Sequence, residues 1–211
     1  MTRLSFIVCI ALLLVQAHAS NPHGWSPSVS TASQLDAPDG NGFCLDVTGF
    51  GNNINCQSMQ AHSCKPQGAD TQYSYDATLQ RLQAVNLQSD CTATDSSAAD
   101  PQGGCVTVQG EVVEGAQLGL ADCEDDPEDG QTFAYVASST GGMLQMESSN
   151  GDMLCLGVGD ELRAAGSFWA RDLMMRSCAT TDALFLTWAI DPMIEATTAV
   201  SYTHLTLPTK A

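Results

Sequence analysis

Gly42-Phe43-Cys44-Leu45-Asp46-Val47, followed by Met59-Gln60-Ala61-His62-Ser63-Cys64 and then Thr71-Gln72-Tyr73-Ser74-Tyr75, is the stretch from which the chain is best read. It places a Cys on a short apolar run, a second Cys about twenty residues later, and an aromatic shortly after. The same order returns twice. Gly104-Cys105-Val106-Thr107-Val108 leads to Leu118-Gly119-Leu120-Ala121-Asp122-Cys123 and Gln131-Thr132-Phe133. Leu154-Cys155-Leu156-Gly157-Val158 leads to Leu173-Met174-Met175-Arg176-Ser177-Cys178 and Leu186-Thr187-Trp188. Cys64, Cys123 and Cys178 are 59 and 55 residues apart, and Tyr73, Phe133 and Trp188 keep step at 60 and 55. Self-similarity at a near-constant period implies equivalent units that share one core.

These residues resemble the ricin-B-type lectins, whose repeat carries Cys-Leu-Asp-Val, then Gln-Leu-Trp-Asp-Cys, then Gln-x-Trp. The match runs from about Phe43 to Ile190. Cys-Leu-Asp-Val is complete at Cys44 to Val47, whereas Gln-x-Trp is intact in no copy. The resemblance implies an all-β chain folded as a β-trefoil of three pseudo-equivalent four-strand repeats. Tyr73, Phe133 and Trp188 are then expected to pack at its centre, each burying a large apolar ring.

Composition agrees with the all-β class. Gly, Ser, Asp and Asn recur at turn-like intervals, and the apolar runs 43–47, 79–82, 105–108 and 143–146 are strand-sized. The best helical pattern is Asp160 to Ala170, and Gly166 weakens it. The expected organisation is a signal peptide at 1–19, a lead-in with the first strand at 20–41, the repeat domain at 42–192, and a linker and tail at 193–211. Thr2-Arg3, the apolar run Leu4 to Val15 and Ala17-His18-Ala19 form the export signal. That run is too short to span ~30 Å of hydrocarbon comfortably, so no membrane insertion is expected. Residues 200–211 bear no relation to the repeat and resemble the translation of a sequencing adapter. On that reading the natural chain continues beyond Ala199, with room for a further domain there.

Secretion gives the cysteines their meaning. Cys9 leaves with the signal, and eight of the nine remain in an oxidising compartment. Eight thiols allow 105 pairings. The repeat selects Cys44–Cys64, Cys105–Cys123 and Cys155–Cys178, leaving Cys56 and Cys91 to pair with each other. A register starting the second copy at Cys91 would stretch its gap to 32 residues. A metal site is the competing reading, but the chain has no Cys-x-x-Cys and no Cys/His cluster.

The formal net charge is −17, which repels phosphate backbones and excludes nucleic acid as the expected partner. The acidic run Glu124 to Asp129 lacks a calcium-loop pattern and reads as a solvated turn. No hydrolase elbow, zinc motif or phosphate loop is present, so neither an enzyme nor a cofactor is expected. What remains is recognition. The resemblance implies that Asp46 accepts hydrogen bonds from neighbouring sugar hydroxyls, with Gln60 beside it. His62 stands where the family has a stacking Trp, Asp70 where it has Asn, and Thr71 where it has Gln. The second copy offers Thr107, Gly119, Ala121 and Gly130, the third Gly157, Met174, Arg176 and Phe185, and neither keeps the carboxylate. The expected function is therefore a secreted carbohydrate-binding module with at most one galactose-type site, its partner a glycan. Two alternatives stand beside it: an extracellular interaction scaffold that binds no sugar, and the binding module of a truncated secreted glycoside hydrolase.

Overall fold

In the computed structural model, residues 28–32, 35, 37–49, 55–65, 71–85, 104–124, 130–191 and 193–194 are described. They hold β1 (Ser28–Thr31), β2 (Phe43–Thr48), β3 (Asn55–Ser63), β4 (Tyr73–Asp76), β5 (Arg81–Ala84), β6 (Cys105–Val108) and β7 (Leu118–Ala121). After these come β8 (Ala134–Ser138), β9 (Gly141–Glu147), β10 (Met153–Val158), β11 (Arg163–Ala165), β12 (Phe168–Ser177), β13 (Trp188–Asp191) and β14 (Met193–Ile194). A 3-10 turn at Ala183–Phe185 precedes β13, with Asp182 capping it through a bond from the Leu184 amide.

The all-β class is as expected, but the three-repeat trefoil is not what the strands form. Seven strands close into an antiparallel barrel in the order β10-β12-β3-β2-β1-β13-β9, with β9 returning to β10. β8 extends the barrel from β9, and β11 from β12. The hairpins of the first and third copies, β2–β3 and β10–β12, lie side by side in this ring through β3 and β12. The hairpin of the second copy, β6–β7, belongs instead to a separate sheet ordered β14-β4-β5-β6-β7. It meets β12 through the isolated bridge Gln117–Met174 and through bonds at its turn, between Gly115 and Met175 and between Glu114 and Ser177. The physical reason is the reach of the signal. Cysteine spacing fixes each hairpin locally, whereas the edge a hairpin pairs with depends on contacts remote in sequence.

An odd ring of antiparallel neighbours cannot alternate evenly, and this one closes at two narrow corners. β1 and β2 share the single ladder pair Ser30–Cys44 among the described residues, beside a bond from the Phe43 amide to Thr31 Oγ1, and β13 and β9 share the single pair Trp188–Gly142. Gly142 is required there, because a Cβ would lie 2.4 Å from Cζ of Tyr135. Within the best helical pattern, Asp160 to Ala170, Arg163 pairs with Ala170 across a hairpin that turns at Gly166, whose φ is +63°. Gly166 is thus the turn residue, and the apparent helical period is two short strands read end to end. β14 pairs in parallel with β4, so the second sheet reaches past the expected boundary at 192.

Tyr73, Phe133 and Trp188 are each fully buried in one core with Phe43, Leu45, Leu144, Leu156 and Leu173. Burying such a side chain contributes roughly 1.5–3 kcal/mol. The Trp188 indole satisfies its Nε1–H on the Leu156 carbonyl at 2.9 Å. Cys44–Cys64, Cys105–Cys123 and Cys155–Cys178 are bonded, closing 20, 18 and 23 residues. They are compatible with an extracellular protein. The expected Cys56–Cys91 pair, the signal segment, residues 125–129 of the acidic run and the tail lie outside the described residues. No helix among the described residues is long and apolar enough to cross a membrane.

Candidate functional site

Alternation along β2 and β3 sends Phe43, Leu45 and Val47 into the core and Asp46 to the opposite face. Asp46 stands directly across from Gln60, and Cys44 from His62. β12 continues both rungs, with Asp172 beside Gln60 and Ala170 beside His62, and β11 adds Arg163 next to Ala170. The outward face of β2, β3, β12 and β11 therefore assembles polar groups that are remote in sequence.

The assembly is a hydrogen-bonded chain. Gln60 Nε2 donates to Asp46 Oδ2 at 2.8 Å, and Gln60 Oε1 accepts from Arg163 Nη2 at 3.0 Å. Those two bonds fix which end of the carboxamide carries nitrogen. Arg163 Nη2 also lies 3.5 Å from Asp172 Oδ1, and Lys65 Nζ lies 3.4 Å from Asp46 Oδ1. Asp46 is only 1% exposed, so its carboxylate underpins the Gln60 amide rather than facing solvent.

His62 is buried, and its Nδ1 is 2.9 Å from the carbonyl of Ser63. A carbonyl only accepts, so Nδ1 carries the proton. The imidazole lies against Phe168, with centroids 5.4 Å apart and planes tilted by 57°. Phe168 is 38% exposed and offers the flat apolar surface that His62 alone does not. The turn is tied down by Ser63, whose hydroxyl accepts from the Trp169 amide at 3.0 Å and donates to its carbonyl at 3.2 Å.

Asp46, Gln60 and His62 thus share one face. Thr71 is buried on the lead-in to β4, and Asp70 lies outside the described residues. Sequence reasoning missed Lys65, Arg163, Phe168 and Asp172. Lys65 was within reach, since it follows Cys64 directly. The other three come from β11 and β12, whose pairing with β3 no local pattern announces.

The matching positions of the other hairpins are filled from within. Gln131 Nε2 donates to Thr107 Oγ1 at 3.0 Å and to the Asp122 carbonyl at 2.8 Å, while its Oε1 accepts from the Glu124 amide at 3.2 Å. At Gly157 an added Cβ would lie 2.8 Å from Cδ of Arg176. That arginine is held by the Val158 carbonyl, by both Asp160 oxygens and by the Phe185 ring. Its guanidinium beside Asp160 keeps that carboxyl below the usual range.

Two wider clefts, of about 590 and 580 Å³, flank the turn at Ser148. Their polar groups are partly spent on each other, as in the Ser149 to Glu111 bond of 2.8 Å. Neither cleft has an aromatic ring in its lining, unlike the β2–β3 face. Among the described residues, no group of three or more His, Cys, Asp or Glu is placed to hold a metal ion.

No protein-family model and no curated protein matches the chain. Among solved structures, the chain is similar to the Haemophilus ducreyi cytolethal distending toxin at 16% identity, with 80% of this chain and 85% of that chain covered and a TM-score of 0.44. It is likewise similar to cytolethal distending toxin from Actinobacillus actinomycetemcomitans at 16% identity, covering 85% of this chain and 99% of that one with a TM-score of 0.43.

Proposed function

We propose that the chain is a secreted carbohydrate-binding module, not an enzyme, with one galactose-type site on the outward face of β2 and β3 where β12 joins them. The observation that carries this reading is an oriented carboxamide and an exposed aromatic ring brought onto one face: Gln60, held by Asp46 at 2.8 Å, and Phe168 against His62. A pyranose presents hydroxyls in fixed directions and one apolar ring face. The first calls for preorganised donors and acceptors, the second for a flat ring. Asp46 acts from beneath, fixing Gln60, while Phe168 supplies the platform that the resemblance assigns to the residue at His62.

Retention of the mature chain on immobilised galactosides tests the reading. Phe168→Ala should weaken retention roughly two- to twelvefold while the protein stays folded, since loss of an aromatic contact is worth ~0.5–1.5 kcal/mol. Retention of no glycan at millimolar concentration would sink it.

A further inference from the structure

We infer that this face prefers a sugar bearing an anionic group, received by the guanidinium of Arg163; the inference rests on the carbohydrate-binding reading above. The chain carries 7 Lys and Arg against 24 Asp and Glu. Two of these scarce cations, Lys65 and Arg163, nevertheless meet at the single Asp46–Gln60 pair. Asp46 is covered and faces Lys65, so its charge is answered internally. The exposed charges at the mouth are then Arg163, 45% exposed, and Asp172, 56% exposed.

Arg163 is only partly used. Its contacts with Gln60 and Asp172 both leave from Nη2, and the donors on Nη1 and Nε have no partner among the described residues. The donors left on Nη1 and Nε can each give a single charge-assisted bond to an oxygen of a carboxylate or sulfate, and such bonds are about twice as strong as neutral ones. The opposing effect is the protein's net charge of −17. It acts mainly at long range and is screened beyond ~8 Å at physiological ionic strength, whereas a contact bond to Arg163 is not. The local contact therefore decides preference, and the global charge slows association.

The test is a titration of the mature chain with three ligands on a common galactoside core: neutral, carboxylate-bearing and sulfated. At least one anionic ligand should bind ten or more times tighter than the neutral one, and that ratio should fall toward one in Arg163→Gln. Arg163→Lys, which keeps the charge without the guanidinium's several donors, should lie between, and melting curves should show all variants folded. Which anion wins separates carboxylate from sulfate as the recognised group. Equal affinity for neutral and anionic ligands, or a ratio that survives Arg163→Gln, overturns the inference while leaving carbohydrate binding standing. Failure of all three ligands to bind overturns both.

Discussion

Replacing Tyr75 by Phe removes one oxygen from the core and leaves two backbone groups without a partner. The Tyr75 hydroxyl donates to the Phe133 carbonyl at 2.8 Å and accepts from the Tyr135 amide at 3.1 Å. It therefore joins β4, in the second sheet, to the segment leading into β8, in the barrel. The ring itself is 2% exposed and packs on Tyr135 at 5.9 Å, and Phe keeps that contact. The change is thus close to a pure loss of hydrogen bonding. Each unsatisfied buried backbone group costs about 1–3 kcal/mol, offset in part because the hydroxyl no longer needs desolvating. The expected loss is about 2–3 kcal/mol. For a domain of this size that lowers the melting temperature by roughly 5–10 °C. Urea unfolding followed by tryptophan fluorescence should show a lower midpoint at unchanged slope. A loss under ~0.5 kcal/mol would refute the claim that this hydroxyl clamps the two sheets together.

Four further outcomes follow from the same structure. Gly142→Ala puts a methyl within 2.4 Å of the Tyr135 ring, displacing it and its 3.3 Å bond to the Trp188 carbonyl; overpacking of this kind costs ~1–3 kcal/mol in the same urea assay. Replacing Cys105 and Cys123 together by Ala frees an 18-residue loop and should cost about 3 kcal/mol in chain entropy, seen as a lower melting temperature that added reductant no longer depresses as far. Burial raises the phenols of Tyr75 and Tyr135, so the stability they lend is present below their ordinary value of 10.0 and is lost as pH rises through the folded values; the melting temperature should fall on the alkaline side, and less so in Tyr75→Phe. At the acid end the sign reverses: the Asp160 carboxyl, held down by Arg176, contributes above 3.8 and loses that contribution as pH falls through its folded value.

Much of this molecule is legible in single segments and little of it between them. Phe43 to Val47 alternates as a strand must, and the cysteine hairpins, the buried aromatics and the Asp46–Gln60 rung all lie within the reach of one copy. The error over architecture arose one level up. Equal spacing made three hairpins look equivalent, yet β6–β7 pairs with the nearby β5 while β2–β3 pairs with β12, an edge more than a hundred residues away. The site shows the same division. Its β2 and β3 half follows from the motif, and its β11 and β12 half follows from a hairpin whose sequence imitates a helix until Gly166 turns it. Burial was illegible as well. Nothing in Cys-Leu-Asp-Val says that the carboxylate is covered by Lys65 and works through Gln60.

The central claim is that the face shared by β2, β3 and β12 binds sugar. It is tested most directly by amide chemical-shift mapping of the mature chain titrated with a galactoside. Saturable shifts are expected at Gln60, His62, Arg163 and Phe168, with the clefts around Glu111 and Asp152 silent. Shifts confined to those clefts, or none at millimolar ligand, would contradict it.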